Sequence, residues 1–257
     1  MTDWFTTPLA LAVHDAEAAV IQKVLPARYY ENVVDIGPGH SSTVNGIESG
    51  RRVNVTGTII PAEQASVVAD MVQLPFAART ADLMLLRHSL EFSRDPRQVL
   101  REVTQILAPE GCIVICGFNP VGLWGIAKLL HRRKRKPPWS GRYLSLHRIN
   151  DWLSLLQLDL IGGGTCFYRP PLQSSQWRDG LVFVERMGER WWPALSGSYV
   201  VVARKRNAVA RVIQKEESLR TQVRRPRLAA IAEHHGLSSV VIDQTRASSR
   251  SQVGDER

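Results

Sequence analysis

Cysteine is scarce in this 257-residue chain. There are three, Cys112, Cys116 and Cys166, an odd number with no C-x-x-C spacing. That excludes a disulfide scaffold and the common zinc and redox motifs, and it points to buried, reduced thiols in a cytosolic protein. Long apolar runs are lacking as well: nothing approaches the ~18–20 continuous residues of a membrane span. The first residues, Met1-Thr2-Asp3-Trp4, have no basic stretch leading into an apolar one, so no secretory leader is read there and a cytoplasmic location is expected. Acids are missing locally. Residues 128–142 carry seven Lys or Arg and no Asp or Glu, and residues 206–257 carry ten basic against six acidic residues. The net charge of +9 therefore belongs to two segments, with the rest close to neutral. Such a distribution speaks about partners and not about topology.

What is present describes an ordinary globular core, with 44% apolar and 22% charged residues. The length fits one α/β domain, residues 1–205, followed by a basic tail, residues 206–257, that is partly helical or disordered. Apolar residues Leu9, Val13, Ala16, Val20 and Val24 recur at helical spacing and predict a helix ended by Pro26. Val33–Ile36, residues 51–60, Ser66–Ala69, Asp82–Leu86 and Cys112–Phe118 read as strands one to five. Asp95-Pro96 opens a helix with the stripe Val99, Val103, Ile106 and Leu107, and Pro109-Glu110-Gly111 is expected to close it. Cys112 and Cys116, four apart in a strand, are expected on one face. Ile149–Leu156 reads as a helix, Leu158–Ile161 as a strand, Gly162-Gly163-Gly164 as a turn, and Tyr199–Ala203 as the final strand. Residues 165–197, with Pro170-Pro171 and three Trp, read as an insertion or long loop. Strands alternating with helices imply a doubly wound, mostly parallel sheet.

The most informative stretch is Val33-Val34-Asp35-Ile36-Gly37-Pro38-Gly39. A buried strand runs into an acid and then a turn with two glycines. Such a turn brings the main chain against a nucleotide-like ligand with no Cβ in the way. Three further segments follow in order: Ala69-Asp70-Met71-Val72-Gln73-Leu74-Pro75-Phe76, Asp82 to Phe92, and Val99 to Gly111. Together, residues 31–119 resemble the core of class I S-adenosylmethionine-dependent methyltransferases, in the type 11-like branch of small-molecule and lipid enzymes.

The resemblance implies a Rossmann-like methyltransferase fold with an antiparallel last strand, S-adenosyl-L-methionine as cofactor, and a small-molecule or lipid-like acceptor. It implies Asp35 near the methionine amino group, Gly37 and Gly39 against the methionine portion, Asp70 and Met71 flanking the adenine, and His88 close to cofactor or substrate, with a packing or capping role as the alternative. Leu74 and Phe76 are expected in the core. Methyl transfer from a sulfonium needs mainly alignment, so no catalytic residue is named, and no metal is implied. The sequence departs from the family pattern in two places. Ser41 stands where a further glycine is common, and no acid ends strand two in Val53-Asn54-Val55-Thr56-Gly57-Thr58-Ile59, with Glu63 in the next loop as a substitute. The second departure leaves an alternative: a binding protein that kept the fold and lost the reaction. A nicotinamide dehydrogenase is a weaker fit, because residue 42 is Ser42 and the G-x-G-x-x-G spacing fails. The apolar segment Val121–Leu130 followed by the cations of Lys128–Lys136 suits an anionic membrane surface, RNA, or a solvated loop.

Overall fold

The structure is a computed structural model that describes residues 4–37, 46–57, 67–131, 136–171, 192 and 195–206. The chain divides after Ala208, and every described residue lies in the first unit. All of the basic tail beyond Arg206, Gly39, Glu63, Arg132–Arg135 and most of the expected 165–197 insertion lie outside the described residues.

Helix α1, Pro8–Val24, starts where the sequence supplies a cap: Thr7 accepts from the Ala10 N–H and Pro8 needs no donor there. The strands are β1 (Tyr30–Ile36), β2 (Ser49–Thr56), β3 (Val67–Val68) and β4 (Ala81–Arg87). After them come the short α2 (Ser89–Phe92), α3 (Pro96–Ile106), β5 (Leu107–Phe118), α4 (Leu123–Leu130), α5 (Leu146–Leu155), β6 (Leu158–Cys166) and β7 (Ser198–Lys205). Asp95 caps α3 by accepting from the Arg97 and Gln98 N–H groups at 3.1 Å. The apolar stripe of α3, with Val99, Leu100, Val103 and Ile106, is buried.

Seven strands form one sheet in the order β3-β2-β1-β4-β5-β7-β6. The first five run parallel, and β7 is antiparallel to both β5 and β6. Chain direction reverses its lateral march between β1 and β4, which is where open α/β sheets leave a crevice at their carboxyl edge. Side chains alternate cleanly across the sheet. Met84, Leu86, Ile113 and Ile115 pack with α3 and α5, whereas Leu83, Leu85, Cys112, Val114 and Cys116 pack with α1. The two central cysteines thus share a face, and all three cysteines are free and buried.

Two local expectations are corrected. Pro109-Glu110-Gly111 does not close α3; it lies inside β5. Leu107 already pairs with Ala81, and the register jumps before Cys112 meets Leu83, with Glu110 at φ 61° absorbing the extra residues. Gly162-Gly163-Gly164 is not a turn but the middle of β6, paired with Val202, Val201 and Val200. Gly162 and Gly164 face α1: a Cβ on Gly162 would sit 2.4 Å from Val24 Cγ1, and one on Gly164 would sit 2.9 Å from Val20 Cγ1, whereas one on Gly163 would meet Val200 O of β7 at 2.6 Å. Gly162 and Gly164 are there so that the helix can lie close on the sheet.

Candidate cofactor site

Parallel pairing brings the ends of β1 to β4 to one edge of the sheet. Asp35, opposite Asn54 on β2 and Leu85 on β4, is buried near the end of β1. Its Oδ1 accepts from Arg87 Nε at 3.0 Å, and Arg87 is the last residue of β4. Burial pulls the Arg87 guanidinium down, but the Asp35 charge and hydrogen bond outweigh that and hold it above its ordinary value. The other carboxylate oxygen, Asp35 Oδ2, is buried and has no partner among the described residues. Gly37 follows, its N–H donating to Val55 O at 3.2 Å. A Cβ there would meet the Arg87 carbonyl at 3.3 Å, a tight approach between the tips of β1 and β4.

Asp70 and Met71 come just after β3. Asp70 Oδ1 accepts from the Val72 N–H at 3.1 Å and its carbonyl accepts from the Gln73 N–H, which makes a tight turn. Met71 reaches back toward the end of β2, its Cε 3.6 Å from where a Cβ on Gly57 would stand. Asp35, Gly37, Asp70 and Met71 are therefore on the same edge, and no acid terminates β2 there. Of the two core expectations, Leu74 is buried and Phe76 is partly buried against the same cluster.

His88 is placed differently from a loop side chain facing a ligand. Its backbone is left-handed (φ 52°, ψ 11°), a conformation costing roughly 1 kcal/mol or more for a non-glycine residue. The turn drives its imidazole inward, to zero exposure. Nε2 lies 3.0 Å from Glu17 Oε1 of α1, and Nδ1 lies 2.9 Å from Glu91 Oε2 of α2. Glu91 Oε1 accepts from the Phe118 N–H at the end of β5, and Ser198 Oγ of β7 donates to Glu17. His14 stands one helical turn from Glu17, at 3.6 Å. The Phe118 ring stacks on the His88 ring with centroids 4.1 Å apart.

The electrostatics sort this cluster into roles. Burial pulls His88 down, but Glu17 and then Glu91 outweigh it, leaving the imidazole pushed up to about 10. Burial pushes Glu17 up, yet His88 and His14 hold its carboxyl well below the usual carboxylate range. Glu91 goes the other way, raised by burial that His88 offsets only in part. The centre is thus a His88 imidazolium on a Glu17 carboxylate. His14, Glu17 and His88 offer ligand atoms within 4.8 Å of one another, a spacing a metal ion would accept. With both His88 nitrogens already facing carboxylates, we read the cluster as an ion-pair network that ties α1, β4, α2, β5 and β7 together.

Glu17, Glu91 and Arg87 were not singled out from sequence. A signal for Glu17 existed, an acid on the buried side of α1 among Leu9, Val13 and Ile21, and Glu91 sits one helical turn after His88.

Residues 34–115 match the family described as Methyltransferase domain. That match runs from β1 to β5, and the rest of the chain lies outside it. Among curated proteins it is 38% identical over 110 residues to the uncharacterized protein YafS of Escherichia coli (strain K12), covering 43% of this chain and 45% of YafS. The chain spans about half the length of the curated relatives it matches, 45% and 60% for two of them. A Thermotoga maritima structure described as a SAM-dependent methyltransferase, possible histamine N-methyltransferase, superimposes with a TM-score of 0.56 at 15% identity, covering 79% of this chain and 94% of that one. The N-methyltransferase NodS of Bradyrhizobium japonicum WM9, solved with S-adenosyl-L-homocysteine, superimposes with a TM-score of 0.53 at 13% identity over 79% and 90% of the two chains. At such identities the likeness concerns the fold of the methyltransferase domain.

Proposed function

We propose that this chain is an S-adenosylmethionine-dependent methyltransferase acting on a small-molecule or lipid-like acceptor. The observation that carries the reading is the assembly of Asp35, Gly37, Asp70 and Met71 on the carboxyl edge of β1 to β4, where the family's cofactor belongs. The buried, unpartnered Asp35 Oδ2 fits a group with a positively charged amine. Gly37 leaves the main chain bare beside the methionine portion. Asp70 has one oxygen engaged with Val72, so the adenine amine falls to the other, and the Met71 side chain covers the ring. His88 serves through its backbone and the network beneath it, and acts as a positioning residue for the slot.

The cofactor supplies an activated methyl group whose departure leaves a neutral thioether. The protein's part is alignment and exclusion of water, and a base is needed only for an acceptor that arrives protonated. The missing acid at the end of β2 favours a second reading, a binding protein on the same fold.

Calorimetry separates the two. The first reading expects S-adenosylmethionine and S-adenosylhomocysteine to bind, and the exposed Asp70→Ala to weaken binding about 10-fold, the loss of one charge-assisted hydrogen bond. Absence of binding by the folded protein at millimolar ligand rejects it.

A further inference from the structure

Helix α4 has no polar face. Its inner side carries Trp124, which is fully buried, donates from Nε1 to Arg169 O at 3.1 Å, and stacks on Phe118 with centroids 5.1 Å apart. Its outer side carries Ile126, Leu129 and Leu130 at the i, i+3, i+4 spacing of one helical stripe, exposed at 53%, 63% and 81%. A surface helix of a globular domain normally turns charged or polar residues to water. Here the aliphatic stripe is extended by Val121, 66% exposed, just before the helix. Trp192 and Leu195 add two more apolar side chains, exposed at 54% and 37%. Leu195 and Ser196 lie against the start of α4, where a Cβ on Gly122 would overlap Ser196 O and lie 3.1 Å from Leu195 O, and the Leu195 N–H donates to Trp192 O at 2.9 Å.

Immediately after the stripe the sequence reads His131-Arg132-Arg133-Lys134-Arg135-Lys136, and no acid occurs before Arg142. Aliphatic side chains, an exposed Trp and a dense cationic run are the three ingredients of a helix that lies in the plane of an anionic lipid surface. No helix among the described residues is long and apolar enough to cross a membrane, so α4 can only lie on one.

RNA would use the cations but would leave the aliphatic stripe unexplained. The aromatic rings nearest the run are not free to stack on bases either, because Trp139 stacks on His131 at 4.9 Å and Trp124 is buried. A second copy of the chain would cover the aliphatics but would have to place the like-charged runs in proximity.

We propose that the outer face of α4, with Val121, Trp192 and Leu195, docks this protein on an anionic lipid bilayer, the apolar side chains entering the headgroup boundary while the net positive charge of the sequence that follows favours anionic lipid. Helix α4 leaves the carboxyl end of β5, so the docked face adjoins the edge of the sheet that holds Asp35 and Gly37. A membrane-borne acceptor would follow, and that step rests on the methyltransferase reading; the docking itself does not.

The test is sedimentation of the full chain with phosphatidylcholine vesicles, with and without phosphatidylglycerol, at low and high salt. Expected are binding only to the anionic vesicles, weakening at high salt, and about a 10-fold or greater loss in Ile126→Ser/Leu129→Ser/Leu130→Ser, whose exposed positions leave the fold intact by circular dichroism. Failure to pellet with anionic vesicles overturns the proposal, as does equal pelleting of the triple variant. A dimer seen by light scattering that the triple variant abolishes, without vesicle binding, would reassign the face to self-association. Binding to a single-stranded RNA without vesicle binding would reassign the cations. Calorimetry with S-adenosylmethionine on the same preparation keeps the two readings apart: vesicle binding without cofactor binding sinks the enzymatic reading and leaves the docking standing.

Discussion

The knot around His88 and the outer face of α4 are opposites, and each inverts the usual placement of residues. In the knot, two histidines and two glutamates are buried among Phe5, Phe118 and the ends of three strands. On α4, aliphatic side chains stand in water with cations next in sequence. Buried charge is tolerated in the first because the opposite charges face one another, Glu17 and Glu91 on either side of His88, with Glu91 also accepting from the Phe118 N–H, although His14 Nδ1, Glu17 Oε2 and His88 Nε2 make no hydrogen bond among the described residues. Exposed apolar area in the second is answered by nothing in the described residues. Buried charge that faces its counter-charge serves the fold, and an uncovered apolar face is the kind of surface on which the proposed docking rests.

The comparison is sharpest where one partner is removed. Glu17→Leu leaves the His88 imidazolium facing only Glu91, and breaking a buried pair in this way costs about 3–5 kcal/mol, to be read from the urea unfolding midpoint. An unchanged midpoint would mean that the knot contributes nothing to the fold.

The second prediction concerns pH. His88 is raised from its ordinary 6.5 to about 10, so its contribution is fully present below pH 6.5 and is lost as pH rises through 10. Glu17 is depressed below its ordinary 4.5, so its contribution is present above that value and fades as pH falls below it. The unfolding midpoint should therefore drop between pH 7 and pH 10 in the native chain and stay flatter in His88→Gln. Parallel slopes in the two proteins would break the assignment.

The smallest effect belongs to α4. Leu130→Ser should change stability within about 0.5 kcal/mol, since an 81%-exposed side chain has little native packing to lose. A larger loss of thermal stability would show that the face is already covered within the chain.

Most of the strands were legible in advance because their signal is local. Asp82–Leu86 and Cys112–Phe118 are apolar runs bounded by turn residues, and both lie in the centre of the sheet. The Asp95-Pro96 start of α3 was legible for the same reason, since a cap is chemistry within four residues. The two corrections involve residues whose local preference was overruled at long range. Pro109-Glu110-Gly111 has turn chemistry, yet β4 holds Leu107 in the sheet and the turn becomes a bulge. Gly162-Gly163-Gly164 has turn chemistry too, yet it is a strand because α1, about 140 residues earlier in the chain, needs bare backbone there.

The candidate slot divides along the same line. Asp35, Gly37, Asp70 and Met71 could be placed on one sheet edge from the strand pattern, because parallel pairing carries every strand end to the same side. The direction of the His88 side chain could not. It depends on a left-handed backbone and on Glu17, a residue 71 positions away. The amino-acid sequence alone thus determined the α/β alternation, the glycine bend after β1 and the cationic run, all of which are matters of neighbouring residues. Only the tertiary structure decided that His88 looks inward to two carboxylates while Ile126, Leu129 and Leu130 look outward. Burial and exposure are set by which distant surfaces come together, and no local pattern contains that information.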